Sequence, residues 1–221
     1  MEIMKPLAMF FPIVFSFFSP LLCAANSDVA SPNSGKVTGA AIVDEINLAR
    51  QKPAFYAIFL EQTRQNYTSR PGRQQDARAL AEAIRFLRRA RPLPPLALSP
   101  GLCLAAADHC REQADGAVGH HGRGGSDPAS RISRYGVVAQ GWAENIAYGQ
   151  HSARAIVMAL VIDDGVRGRG HRKNIFNSNY NAAGAAYGPH ARYGSVCSID
   201  FADGYAESAL ARSGTNAANS L

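Results

Sequence analysis

Gly170-His171-Arg172-Lys173-Asn174-Ile175 is the stretch from which the rest of the chain is read. A histidine, two cations and an amide directly after a glycine put hydrogen-bonding side chains at an element boundary, where such groups tend to face a cleft. Upstream, Ala155 to Ile162 is apolar with helical spacing and runs into Asp163-Asp164, and Gly165 to Arg169 separates that helix from Gly170. Downstream come two short apolar stretches, Asn181 to Tyr187 and Tyr193 to Phe201, the second alternating like a strand. Two other local sequences have the same character: Ala143-Glu144-Asn145-Ile146-Ala147-Tyr148-Gly149 and Gly119-His120-His121-Gly122. Taken singly, a loop histidine reads as a hydrogen-bonding residue rather than a ligand.

Before these stretches the chain is helical. Ala41 to about Leu60 carries Ile42, Ile46 and Ala49 at helical spacing, and Pro53 kinks or divides it. Asn66 to Gln75 is a loop containing Pro71-Gly72, after which Asp76 can cap a helix running to about Ala90. Pro92, Pro94 and Pro95 enforce an extended crossing. Ser99 caps a further helix that has Pro100 at its first position and runs to about Ala114. Gly116 to Gly125 is a loop, and Asp127-Pro128 opens a short helix ending at Tyr135-Gly136. Helices that come first and flank strands gathered late indicate an α+β layered sandwich.

The 221 residues are 47% hydrophobic and 18% charged, a composition that buries a core. Residues 1–25 read as a signal peptide, with Lys5 ahead of an apolar run from Pro6 to Leu22 and small residues at Cys23-Ala24-Ala25. A retained membrane anchor is the competing reading, although Pro12 interrupts the run and no cluster of positive charge follows it. Residues 26–39 form a flexible linker, residues 40–206 the domain, and residues 207–221 a disordered tail. The arginines are unevenly placed. Eight lie between Arg64 and Arg91 against only Asp76 and Glu82, a surplus equal to the whole net charge of +6. A solvated helix face explains such a run. Contact with anionic cell-wall polymers, lipid head groups or nucleic acid is the alternative, and export argues against nucleic acid.

Cleavage would leave Cys103, Cys110 and Cys197 in an oxidising compartment. Cys103 and Cys110 lie seven residues apart in one expected helix. Their Cα atoms then stand roughly 10 Å apart, beyond disulfide reach. Positions seven apart share a helix face, so either can meet Cys197. One bridge, Cys110 to Cys197 or Cys103 to Cys197, is expected with the other thiol buried; three buried thiols is the alternative.

In order and spacing, these motifs resemble the CAP superfamily, which comprises cysteine-rich secretory proteins, antigen 5 and pathogenesis-related proteins, and most of all its bacterial branch. Asn47-Leu48-Ala49-Arg50 resembles its opening helix signature, and Pro95-Leu96 with Ser99 and Leu102 the entry to its second helix. Ala143 to Gly149 resembles its GENIA-x-G element, with alanine for the first glycine, and Gly170 to Ile175 its GHRxNI element. The resemblance spans about Ala41 to Tyr205 and leaves an Arg-rich helical insertion at about 52–91. It implies a three-layer α-β-α sandwich whose cavity holds two histidines and two acids. By position these are His120, Glu144, His171 and Asp163, with His121 and Asp164 as neighbouring alternatives. The family's second acid is usually glutamate, and a tryptophan often stands where this chain has Leu160.

Chemically, His120, His171 and Glu144 suit a divalent metal such as Zn²⁺, since neutral imidazoles bind it and carboxylates ligate or orient the rings. Imidazolium–carboxylate pairs that only hold loops together are the equal alternative. No HExxH helix, GxSxG elbow or GxxxxGK loop occurs, which removes the commonest zinc-protease, serine-hydrolase and nucleotide-binding signatures. Trp142, the sole tryptophan, lines a ligand groove or sits in the core or rim. The resemblance implies a secreted binding or interaction module for an extracellular lipid, cell-wall component or protein. The alternative is a secreted hydrolase of peptides or nucleic acid, acting through metal-bound water or a His–carboxylate pair.

Overall fold

The computed structural model describes residues 36–64 and 74–212. The signal segment, the linker up to residue 35, the Pro71-Gly72 turn and the tail beyond residue 212 lie outside the described residues. Thr38 caps the first helix, α1 (Gly39–Gln51), its hydroxyl accepting from the Ala41 amide at 3.1 Å. Pro53 then divides the helical run as expected and opens α2 (Pro53–Gln62). The next helix, α3 (Gln74–Arg89), begins two residues before Asp76, so that aspartate lies within the helix rather than capping it. After the proline crossing come β1 (Ala97–Leu98) and α4 (Pro100–Gln113), the latter capped by the Ser99 hydroxyl on the Leu102 amide at 3.1 Å. Asp127 and Ser130 form a reciprocal capping box on α5 (Pro128–Tyr135). The remaining elements are β2 (Gly136–Tyr148), α6 (Ala153–Ile162), α7 (Gly170–Ile175), β3 (Ala182–His190) and β4 (Gly194–Glu207).

Four strands form one sheet in the order β1-β3-β4-β2, parallel between β1 and β3 and antiparallel elsewhere. Strand alternation sends successive residues to opposite faces. On one face Ala183, Ala185, Cys197, Ile199 and Phe201 join the cores of α1, α2, α3 and α6. On the other, Ala182 and Ala202 pack with Leu102 and Ala105 of α4 and Ile132 of α5. Val196 and Ile146 meet Cys110 on that same face. The result is the expected α+β sandwich, with helices on both sides of one sheet.

The same alternation corrects the cysteine expectation. Cys110 is buried on the α4 face of the sheet, and Cys197 belongs to the core on the opposite face. The sheet therefore stands between them, and Cys103, Cys110 and Cys197 are all free thiols. The domain's end also shifts. β4 continues to Glu207, whose carboxylate accepts from the Gly101 amide at 2.9 Å and the Ser99 hydroxyl at 2.6 Å, and residues 209–212 are helical. Glu207 thus anchors the first turn of α4 rather than beginning a disordered tail.

One fully buried side chain joins α1 to the distal loops. Arg50 donates to the carbonyls of Ile175 at 2.7 Å, Asn177 at 2.9 Å and Pro94 at 3.1 Å. Asn47, one turn earlier, pairs both ways with the Leu96 backbone at 2.7 and 3.0 Å. The Asn47–Arg50 signature is therefore a clamp on the proline crossing and on the end of α7.

α4 approaches β3 closely because Gly184 has no side chain. A methyl group there would stand 2.2 Å from the Cys103 nitrogen and 2.3 Å from the Leu102 carbonyl carbon. Gly184→Ala is accordingly expected to destabilise the fold by about 2 kcal/mol through forced separation of α4 from the sheet. Denaturant unfolding measures this, and an unchanged midpoint would show that the layers are not in close contact there.

Candidate functional site

Glu144 lies on β2 with its side chain on the α4 face, 6% exposed. Its Oε1 is 2.8 Å from His120 Nδ1, and its Oε2 accepts from Arg131 at 2.7 Å and from the Ser198 hydroxyl at 3.3 Å. Arg131 is fully buried on α5 and also donates to the His120 carbonyl at 3.0 Å. An ionised carboxylate only accepts, so His120 Nδ1 carries the proton and Nε2 is left with no hydrogen-bond partner among the described residues. Burial pushes the Glu144 carboxyl up, but the His120 hydrogen bond and the charges of His109 and Arg131 outweigh it and hold the group below its ordinary value.

The loop that carries His120 is pinned one residue earlier. The Gly119 amide donates to the Tyr148 hydroxyl at 3.0 Å, and Tyr148 donates to Gln113 at 2.9 Å. The Gly119 carbonyl accepts from His109 Nε2 at 3.0 Å and from Gln113. His190 Nε2 holds the Ala117 carbonyl at 2.8 Å. Gly119 itself has φ of +95°, the left-handed region that favours glycine.

Asp163 and His171 form the second pair. His171 Nδ1 is 2.7 Å from Asp163 Oδ1, while Asp163 Oδ2 accepts from the amides of His171 at 2.9 Å and Arg172 at 3.3 Å. Asp163 occupies the left-handed region at φ +55° and ends α6, which aims its short side chain at the first turn of α7. Asp164, the neighbouring alternative, is exposed. Here too the ring nitrogen Nε2 has no partner among the described residues. Asn145, the neighbour of Glu144, donates to the His171 carbonyl at 3.0 Å and accepts from Asn174 at 2.8 Å.

The four expected residues form two histidine–carboxylate pairs, one held by Glu144 itself and the other tied to β2 through the neighbouring Asn145. Among the described residues, no group of three or more His, Cys, Asp or Glu side chains is arranged to hold a metal ion. Glu144 spends both oxygens on His120, Arg131 and Ser198. Both carboxylates hold a histidine ring by its Nδ1. The thiols offer no nucleophile either: burial pushes Cys110 up to about 12 and Cys197 well above its usual range.

His120 and Glu144 line a cleft of about 410 Å³ together with His121, Pro128, Ala129 and Trp142. Trp142 is 42% exposed, so the indole forms an accessible wall rather than core. Sequence reasoning missed Arg131, His109, Gln113 and Ser198, which set the pair's geometry. It also missed Asp200, directly across from Glu144 in the sheet and fully buried. Neither oxygen of Asp200 has a hydrogen-bond partner among the described residues. Burial, reinforced by the Glu144 charge, pushes its carboxyl well above the usual range.

Among known proteins, the profile of the Cysteine-rich secretory protein family (CAP) matches residues 43–201. No curated protein matches the chain. Among solved structures, an outer surface protein of Borrelia burgdorferi is 18% identical, covering 59% of this chain and 93% of that one, with a TM-score of 0.44. An extracellular SCP-domain protein of Bacillus anthracis is 22% identical, covering 59% of this chain and 40% of that one, with a TM-score of 0.40. The chain thus spans well under half the length of the second protein.

Asp200 generates a pH prediction. Its folded carboxyl keeps a proton that the unfolded chain loses near pH 4, so the folded state binds more protons and this group's contribution to stability falls as pH rises above about 4. Asp200→Asn removes that penalty and is expected to raise the melting temperature by several degrees at pH 7, and by much less at pH 4. Thermal melts across that range check it, and a gain independent of pH would contradict a neutral buried acid.

Proposed function

The chain belongs to the cysteine-rich secretory protein (CAP) family, and on that premise we propose that it is an exported binding module whose ligand docks between His120 and Trp142. The observation that carries the reading is the fixed imidazole. Its Nδ1 is held by Glu144 at 2.8 Å, so Nε2 is presented beside an exposed indole at a preformed cleft. An aromatic wall with one oriented polar group fits a ligand that has an apolar face and hydroxyl or amide edges. Cell-wall glycans carry both, and the extracellular lipids and proteins implied by the family are the other members of this class. Export rests on the apolar stretch from Pro6 to Leu22 and the small residues that follow it.

A second reading has one specific support. A histidine with Nδ1 fixed by a carboxylate and Nε2 open is the arrangement of a general acid–base residue, which suits a hydrolase. In that case His120→Ala abolishes turnover of peptide or nucleic-acid substrates, whereas Trp142→Phe preserves it.

Trp142 is the only tryptophan and therefore a built-in reporter. Soluble peptidoglycan fragments are expected to quench or blue-shift its fluorescence, with affinity lowered roughly tenfold in His120→Ala through loss of one oriented hydrogen bond. Phosphatidylcholine vesicles and Zn²⁺ alone, titrated in parallel, separate a lipid or metal ligand from a glycan. Emission that none of the three changes would remove this cleft as the binding site.

A further inference from the structure

A second cleft, of about 730 Å³, lies between α3, the 164–169 segment and α7, beside the Asp163–His171 pair but not lined by any of the four paired residues. Its lining is strongly basic. Arg78, Arg167, Arg169, Arg172 and Lys173 face it, against Glu82 and Asp164. One wall comes from α3 and the other from the 164–169 segment and α7.

The cations are of two kinds. Arg172, 4% exposed, donates to the Val161 carbonyl at 2.5 Å, the Ile162 carbonyl at 3.0 Å and Glu82 at 2.9 Å. Arg169 donates to Glu82 at 2.7 Å and the Asp163 carbonyl at 2.6 Å. These two guanidinium groups are locked in place, and Glu82 is spent holding them. Their hydrogen bonds hold its carboxyl below the ordinary value, the one from Arg169 contributing most. Arg78, Arg167 and Lys173 are exposed at the rim with no hydrogen-bond or ion-pair partner among the described residues. Phe86 supplies an apolar floor and is T-stacked on Phe176 at 4.9 Å.

The basic surface continues along α3. Arg85 and Arg89 line an adjoining depression of about 490 Å³ that shares Glu82, Phe86 and Arg172 with the cleft. Arg78, Glu82, Arg85 and Arg89 follow the spacing that puts residues on one helix face. A solvated helix face alone would be convex and would not converge with a second element. Here three unpaired cations from α3, the 164–169 segment and α7 meet around a concave floor, an arrangement that focuses positive potential.

We propose that this cleft binds a phosphate ester, with Arg78, Arg167 and Lys173 contacting the phosphoryl oxygens. Planar guanidinium groups suit phosphate oxygens in forked pairs, and Lys173 adds a point charge. The phosphate can belong to a soluble molecule or to a lipid head group. The site is independent of the His120 cleft, so either can fail without the other.

The test has two arms on the full chain at low and at moderate salt. In the first, sodium tripolyphosphate is titrated by calorimetry. In the second, co-sedimentation is measured with vesicles of phosphatidylglycerol and phosphatidylcholine, and with vesicles of phosphatidylcholine alone. Arg78→Ala/Arg167→Ala/Lys173→Ala is compared with Lys36→Ala/Lys52→Ala/Arg192→Ala, which removes equal charge from exposed positions outside the cleft. Tripolyphosphate is expected to bind the native chain, more weakly as salt rises, with affinity about tenfold lower in the cleft variant and within about twofold in the control variant. Retention on phosphatidylglycerol vesicles that follows the same pattern assigns the phosphate to a lipid head group. Tripolyphosphate binding without such retention assigns it to a soluble ester. Equal losses in the two variants, or no binding of either probe by the native chain, would overturn the site.

Discussion

The arrangement around the first histidine depends on one buried ion pair. Glu144 carries its charge on the inner α4 face of the sheet, where an unpaired carboxylate would be strongly disfavoured. Arg131, itself fully buried, meets it at 2.7 Å and so makes that charge tolerable. The same guanidinium reaches the His120 carbonyl, which fixes the backbone of the loop as well as the acid that orients its ring. The Arg131–Glu144 bond ties α5 to β2, while Ile132 packs α5 on Leu102 and Ala105 of α4. A buried pair of this kind specifies geometry more than it adds stability.

Strand periodicity gives the two pairs different anchors on one strand. Glu144 and Asn145 are neighbours on β2, and neighbours point to opposite faces. One grips the histidine loop on the α4 side; the other grips the backbone of His171 on the side of α6 and α7. The two histidines are thus positioned through one strand. The same rule keeps Cys110 and Cys197 apart, and it puts Asp200 beside Glu144, where burial and then the Glu144 charge push its carboxyl well above the usual range.

What the sequence revealed was local. Ser99-Pro100 and Asp127-Pro128 announced their helices because cap and first-turn chemistry acts within a few residues. Asp163 was reached only through the family resemblance, with Asp164 as its alternative, and the bond that pairs it with His171 eight residues on emerged from the structure. β2 was not legible: Gly136, Gly141 and the polar Gln140, Glu144 and Asn145 break its alternation, and a register shift between Val138 and Gly141 interrupts it further. Arg131 was invisible because nothing local separates one buried arginine from many exposed ones. The Glu207 cap on α4 spans 106 residues, a distance no local pattern reports.

The account turns on which nitrogen of His120 carries the proton. Nδ1 faces a carboxylate that can only accept, leaving Nε2 open at the Trp142 cleft. Long-range ¹H–¹⁵N correlation spectra of the imidazole side chains read this directly at a pH where the ring is neutral. The account predicts a His120 tautomer with the proton on Nδ1, reverting to the ordinary mixture in Glu144→Gln. A proton on Nε2 in the native chain would contradict it.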